Sequence, residues 1–125
     1  TISYLIQYLY QKVEDADESA LRVFAGMFNR ADGMIAEVMA DQIWKVMHDK
    51  PLFILKVWPE IRNYKRNILE SRWFQDDIIG MIKIFSDIAK KEPKYRTACD
   101  EIIRILDEKS FKDYEVGRSI GWAYF

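Results

Sequence analysis

An all-α fold of about six helices in antiparallel pairs is predicted by three features of the sequence. Apolar residues recur at spacings of three and four along most of the chain. Only 3 prolines and 5 glycines interrupt its 125 residues, and no Ser/Gly-rich linker appears. No two alternating runs flank a hairpin turn signal.

The first helix is predicted from about Ile2 to Val13, with Ile2, Leu5, Ile6, Leu9 and Val13 on one face. Asp15-Ala16-Asp17-Glu18 then reads as a capping box, Asp15 accepting a backbone N–H and Glu18 reaching back. The second helix runs to about Arg30 with Ala20, Val23, Phe24, Met27 and Phe28 inward. Asp32-Gly33 breaks it, and Asp32 caps a third helix that ends near Asp49 and buries Ile35, Val38, Met39, Ile43 and Val46. Pro51 fits the first turn of a fourth helix, where its missing N–H costs nothing. Pro59 predicts a kink or break near Trp58, beyond which Ile61, Tyr64, Ile68 and Leu69 continue the apolar pattern. A fifth helix is predicted from about Phe74 to Lys90, and Pro93 opens a sixth with Tyr95, Cys99, Ile102, Ile103 and Leu106 inward. The tail from Phe111 to Phe125 mixes aromatics with Gly117 and Gly121 and predicts a short last helix around Tyr114 to Ile120.

The chain reads as a single helical domain spanning residues 1–125, long enough to bury a core of its own. It is 50% hydrophobic with a net charge of −1, which excludes a disordered chain. The same balance argues against a nucleic-acid binder, which needs a basic surplus to neutralise phosphates. No apolar run is long enough for a transmembrane segment. A single cysteine, Cys99, excludes an intramolecular disulfide framework, and its apolar surroundings mark it as a small buried hydrophobe. The start at Thr1-Ile2-Ser3 fits either a processed, exported protein or a piece of a longer one, so cytoplasmic and periplasmic locations both stay open.

Shifting the chain by 42 residues lays Met39 on Met81, Ile43 on Phe85, Val46 on Ile88, Pro51 on Pro93, Phe53 on Tyr95 and Ile61 on Ile103. Each copy is helix, Pro turn, helix, with a period inside the roughly 40–47 residues of HEAT and armadillo repeats. In this respect the region from Met34 to Leu106 resembles a HEAT-like α-solenoid, which implies a short right-handed stack of helical pairs. Asp32-Gly33, Ala36-Glu37, Ala40-Asp41 and Pro51-Leu52-Phe53 together are similar to helical domains of exported bacterial proteins without an assigned activity. Neither resemblance implies a site.

Glu37, Asp41, Trp44 and His48 fall within about 60° of the third helix, opposite its apolar stripe. One metal ion cannot serve them, because Glu37 and His48 lie roughly 16 Å apart along the axis. Trp44 is either packed by a second layer or exposed as an anchor. Asp76-Asp77 is explained by the helix dipole. Residues 1–50 carry a net −3 and residues 51–125 a net +2, a mild asymmetry with basic clusters at Arg62, Lys65, Arg66 and at Lys90, Lys91, Lys94, Arg96. Arg62 and Arg66, four apart, repel on a helix unless a group lies between them.

Aromatic residues are the strongest anomaly, with 4 Trp, 7 Tyr and 7 Phe. Tyr and Trp are favoured at interfaces because they bury area at little entropic cost. The ending Ile120-Gly121-Trp122-Ala123-Tyr124-Phe125 is expected to dock on its own domain, on a second copy, giving a homodimer, or on further chain. No phosphate loop, nucleophile elbow, zinc spacing, calcium loop or dinucleotide fingerprint is present, so no metal, cofactor or catalytic residue is assigned. The expectation is a non-enzymatic protein-interaction domain, scaffold- or adaptor-like, with Trp44, Trp58, Arg62, Arg66 and Trp73 at its contact surface. The alternative is a carrier holding a small apolar ligand between helices.

Overall fold

The computed structural model describes the backbone of residues 2–119 and the side chains of residues 2–107. It is all-α, with no strand among the described residues. The helices are α1 (Ile2–Glu14), α2 (Glu18–Arg30), α3 (Gly33–Asp49), α4 (Pro51–Ile61), α5 (Ile78–Lys91) and α6 (Arg96–Ser119). Two 3₁₀ helices intervene, η1 (Ile68–Phe74) and η2 (Pro93–Tyr95). No helix among the described residues is long and apolar enough to cross a membrane.

Backbone packing divides the chain into two compact units, Thr1–Asp76 and Asp77–Phe125. In the first, α3 is the hub, packing against α1, α2, α4 and η1. Its sequence allows this, because Ala36, Met39, Ala40, Ile43, Trp44, Val46 and Met47 are all buried. At 100° per residue those positions cover roughly 160° of the helix, wider than the stripe of a helix packed on one side. The buried side chains of α2 (Leu21, Phe24, Phe28) and α4 (Ile54, Trp58, Ile61) complete this core. Outside it, Arg22 of α2 bridges Glu60 of α4 and also lies 3.5 Å from Glu18. The hydrogen bond from Arg22 holds the Glu60 carboxyl below its ordinary value.

In the second unit, α5 and α6 form a helical hairpin joined by η2. Its seam contains Met81, Phe85 and Ala89 of α5 with Cys99, Ile102 and Leu106 of α6. Asp77 caps α5, its carboxylate accepting from the Gly80 N–H at 3.0 Å. Arg96 adds a bond to the Ala89 carbonyl at 3.5 Å.

Several boundaries differ from the sequence expectation, each for a local reason. Asp15 does not cap α2. It ends α1, where the Asp17 N–H bonds the Lys12 carbonyl and the Ala16 N–H bonds that of Val13. This is a Schellman arrangement, and it places Ala16 in the left-handed region at φ 62°. The cap is Asp17, which accepts from the Ala20 N–H at 3.0 Å. Pro59 does not break the helix near Trp58; α4 carries it in its last turn and ends two residues later, at Ile61. Tyr64, Ile68 and Leu69 therefore do not prolong α4, and Ile68 and Leu69 are buried from η1 instead. Phe74 closes η1, and α5 starts four residues later at Ile78. The backbone of α6 is continuous to Ser119, so no separate helix starts at Tyr114. Docking or dimerisation by the tail concerns side chains beyond the described residues.

Ala16 is the position to change. A left-handed non-glycine residue costs about 1–2 kcal/mol, and glycine's larger unfolded-state entropy offsets part of that. Ala16→Gly is expected to raise unfolding stability by about 0.5–1 kcal/mol in urea denaturation; an unchanged or lowered midpoint would contradict the strained geometry.

Candidate functional site

α4 ends at Ile61, two residues past Pro59, and the chain crosses back to α3, against which η1 packs. Residues 62–67 make that crossing and are tied to the α2–α3 junction. The Arg66 N–H donates to Asn29 Oδ1 at 2.8 Å, and the Arg66 guanidinium donates to the Ala31 carbonyl. Asn67 caps η1 by accepting from the Leu69 N–H at 2.8 Å. This fixes η1 against α3, and Gln75 Nε2, just beyond η1, donates to Asp41 Oδ1 on α3 at 2.6 Å.

The crossing leaves a groove of about 250 Å³ between the start of α3 and η1. Phe28, Trp73 and Phe74 supply its aromatic lining, Asp32, Glu37 and Glu70 supply carboxylates, and Arg66 supplies a guanidinium. Trp73 is 51% exposed and Phe74 45% exposed. The indole N–H of Trp73 donates to Glu70 Oε2 at 2.7 Å. Behind it Arg72 is buried, its guanidinium donating to the Leu69 carbonyl at 2.6 Å and lying 3.9 Å from Glu70. A buried guanidinium is tolerated only with such partners.

A second groove, of about 470 Å³, runs between α1 and α3. Ile2, Ile6, Met34, Ile35 and Val38 make it apolar, and Tyr10 and Gln42 give it polar points. The side-chain oxygen of Gln42 is shielded from solvent and has no hydrogen-bond partner among the described residues. Burial, with the charges of Glu14 and Asp49, raises the Tyr10 hydroxyl above its ordinary value.

The five residues expected at a contact surface separate cleanly. Trp58 is 1% exposed and Trp44 9% exposed, so both are core rather than anchors. Trp44 is covered because α3 is packed on two sides, and Trp58 because the last turn of α4 faces inward. Arg62 is exposed just past the end of α4, within hydrogen-bond reach of Asn63 at 3.4 Å. It shares no helix with Arg66, so the expected repulsion across one helical turn does not arise. Arg66 and Trp73 are brought together at the groove beside η1.

Other expectations about single residues are also resolved. Ile35 and Val38 do not lie in the core; they are exposed beside the α1–α3 groove, as is Ile2. The carboxylates Glu37 and Asp41 lie on the exposed side of α3, and His48 pairs with its neighbour Asp49 at 3.0 Å. Among the described residues, no group of three or more His, Cys, Asp or Glu could hold a metal ion. Cys99 is buried, and burial next to Asp100 pushes its thiol up to about 11, away from nucleophilic use.

The two tryptophans test this division. Trp58→Ala is expected to cost about 3–5 kcal/mol of unfolding stability, as core truncation of a large ring does. Trp73→Ala should cost less than about 1 kcal/mol, because the ring is largely outside the core. Equal losses in chemical denaturation would place Trp73 in the fold rather than at a site.

With this geometry as the basis for a functional reading, comparison with known proteins adds no relative: the chain matches no protein-family model, no curated protein and no solved structure.

Proposed function

We propose that this chain is a non-enzymatic protein-interaction domain, and that the groove between α3 and η1 is its contact surface. The observation that carries this reading is the adjacent exposed pair Trp73 and Phe74. Large aromatic rings at the rim of a small groove are what interface anchors look like, since a few such residues carry most of the energy of a protein contact. The groove volume of about 250 Å³ falls below the roughly 300–1,000 Å³ of small-molecule sites. It suits one inserted side chain rather than a whole ligand. A HEAT-like repeat belongs to the same proposal, supported by the helix–proline–helix order of α3–α4 and of α5–α6.

A second reading has its own observation. The α1–α3 groove, at about 470 Å³, lies inside the small-molecule range, and its lining is mainly apolar. Gln42 offers it a shielded acceptor. A small apolar molecule with one donor group fits that description.

One experiment separates the two. A photoreactive phenylalanine analogue replaces Phe74 in one sample and Val38 in another, and both are irradiated in lysate of the source cells. The interaction reading expects a protein adduct at position 74 that disappears in a Trp73→Ala background. The carrier reading expects a small-molecule adduct at position 38 by native mass spectrometry. No adduct at 74, or one indifferent to Trp73→Ala, would refute the first reading.

A further inference from the structure

We propose that the groove between α1 and α3 is the contact of a homodimer, in which two copies of this chain pair about a two-fold axis. This goes beyond the reading of the groove beside η1 and does not rest on it. None of the nine described residues that line the α1–α3 groove is charged, in a chain that is 31% charged. Five of the nine are apolar, and of these only Ile6 is buried. Ile2, Met34, Ile35 and Val38 are exposed. Contiguous apolar surface facing water marks a contact.

A small molecule does not account for all of this surface. It would cover the floor of the groove and one flank of Met34, and leave most of a side chain that is 78% exposed in water. A protein covers the lip as well. The composition points to a second copy. Separable interfaces between unlike proteins are only about as apolar as ordinary surface, and their charges steer and orient the partner. Homodimer interfaces are more apolar. Two-fold pairing also sets a patch against itself, so a charged residue near the axis would meet like charge. An uncharged lining carries no such cost.

Shape and size agree with this. Met34 is long, unbranched and adaptable, and it lines the groove while standing out into water. Two-fold pairing seats Met34 of each copy in the groove of the other, whose volume of about 470 Å³ has room for it. Covering the nine residues removes on the order of 600 Å² from each copy, or about 1,200 Å² in the pair, the lower end of specific interfaces.

Sedimentation equilibrium of the full chain is the test. The average mass is expected to rise from one chain toward two between about 1 and 500 μM, the range of a weak contact of this size. Val38→Asp is expected to weaken the pairing at least about tenfold, by placing a charge in an apolar contact. Val38 is 46% exposed, so the change spares the core. Mixing the Val38→Asp and Val38→Lys chains is expected to restore the pair, because opposite charges then meet across the axis, and that recovery shows both variants to be folded. A chain that stays monomeric throughout, a dimer indifferent to Val38→Asp, or a mixture that stays monomeric would overturn the proposal. The second of these would place the contact elsewhere, as in the C-terminal tail. A monomer that carries a small molecule in native mass spectrometry would also overturn it, in favour of the carrier reading. The Trp73-dependent adduct at position 74 tests the other groove and is independent of all these outcomes.

Discussion

The first unit depends on the two-sided burial of α3. A 17-residue helix that places seven side chains in the core needs neighbours around nearly half its circumference. α1, α2, α4 and η1 are those neighbours. The hydrophobic effect rewards apolar area removed from water without regard to direction. The directions come from the connections. Short turns hold α2 and α4 beside α3, and the crossing at residues 62–67 returns η1 to it. The polar bonds of Asn29, Arg66 and Asn67 then fix where that return lands.

The groove follows from how this burial is completed. A fourth helix that continued past Ile61 would carry Ile68 and Leu69 away from α3. Pro59 leaves a backbone carbonyl without its helical donor, which favours an end there. A 3₁₀ segment then covers α3 with few residues. Side chains three apart share a face of such a segment, so Ile68 with Ser71 and Leu69 with Arg72 go inward while Glu70 and Trp73 form the outer row. Phe74 ends the segment half-exposed beside Trp73.

The helical periodicity made the class of fold and most helix positions legible, because amphipathic spacing reports burial directly. It failed where two signals overlap. Ile35 and Val38 continue the apolar run of α3, yet the buried arc is centred on Met39, Ala40, Ile43 and Met47, which leaves Ile35 just beyond its edge and Val38 on the far side. The excess of apolar residues over one face was the available sign, and it was equally compatible with a second packed side. Asp15 and Asp17 present the same chemistry two residues apart, and only the Schellman turn at Ala16 decides between them. Of the site, Trp73 and Arg66 were legible as unusual residues. Phe74 and Glu70 were not, since a 3₁₀ segment has too few residues to show a period. The buried Arg72 left no sign because its satisfaction depends on the fold of η1.

Folding alone does not account for the state of Trp73. An indole with half its surface in water contributes little to a core, and its hydrogen bond to Glu70 lies in exposed surroundings. Such a bond adds little net stability, since water would replace it in the unfolded chain. What it does is restrict the ring before any partner arrives. Ordering a flexible side chain at an interface costs roughly 0.5–1.5 kcal/mol, and a ring already held loses less of that on binding. The same carboxylate lies 3.9 Å from the buried Arg72 guanidinium, so one side chain serves both the ring and the charge behind it. The arrangement is therefore inexpensive to fold, and on the proposed reading it lowers the ordering cost of a contact at this ring.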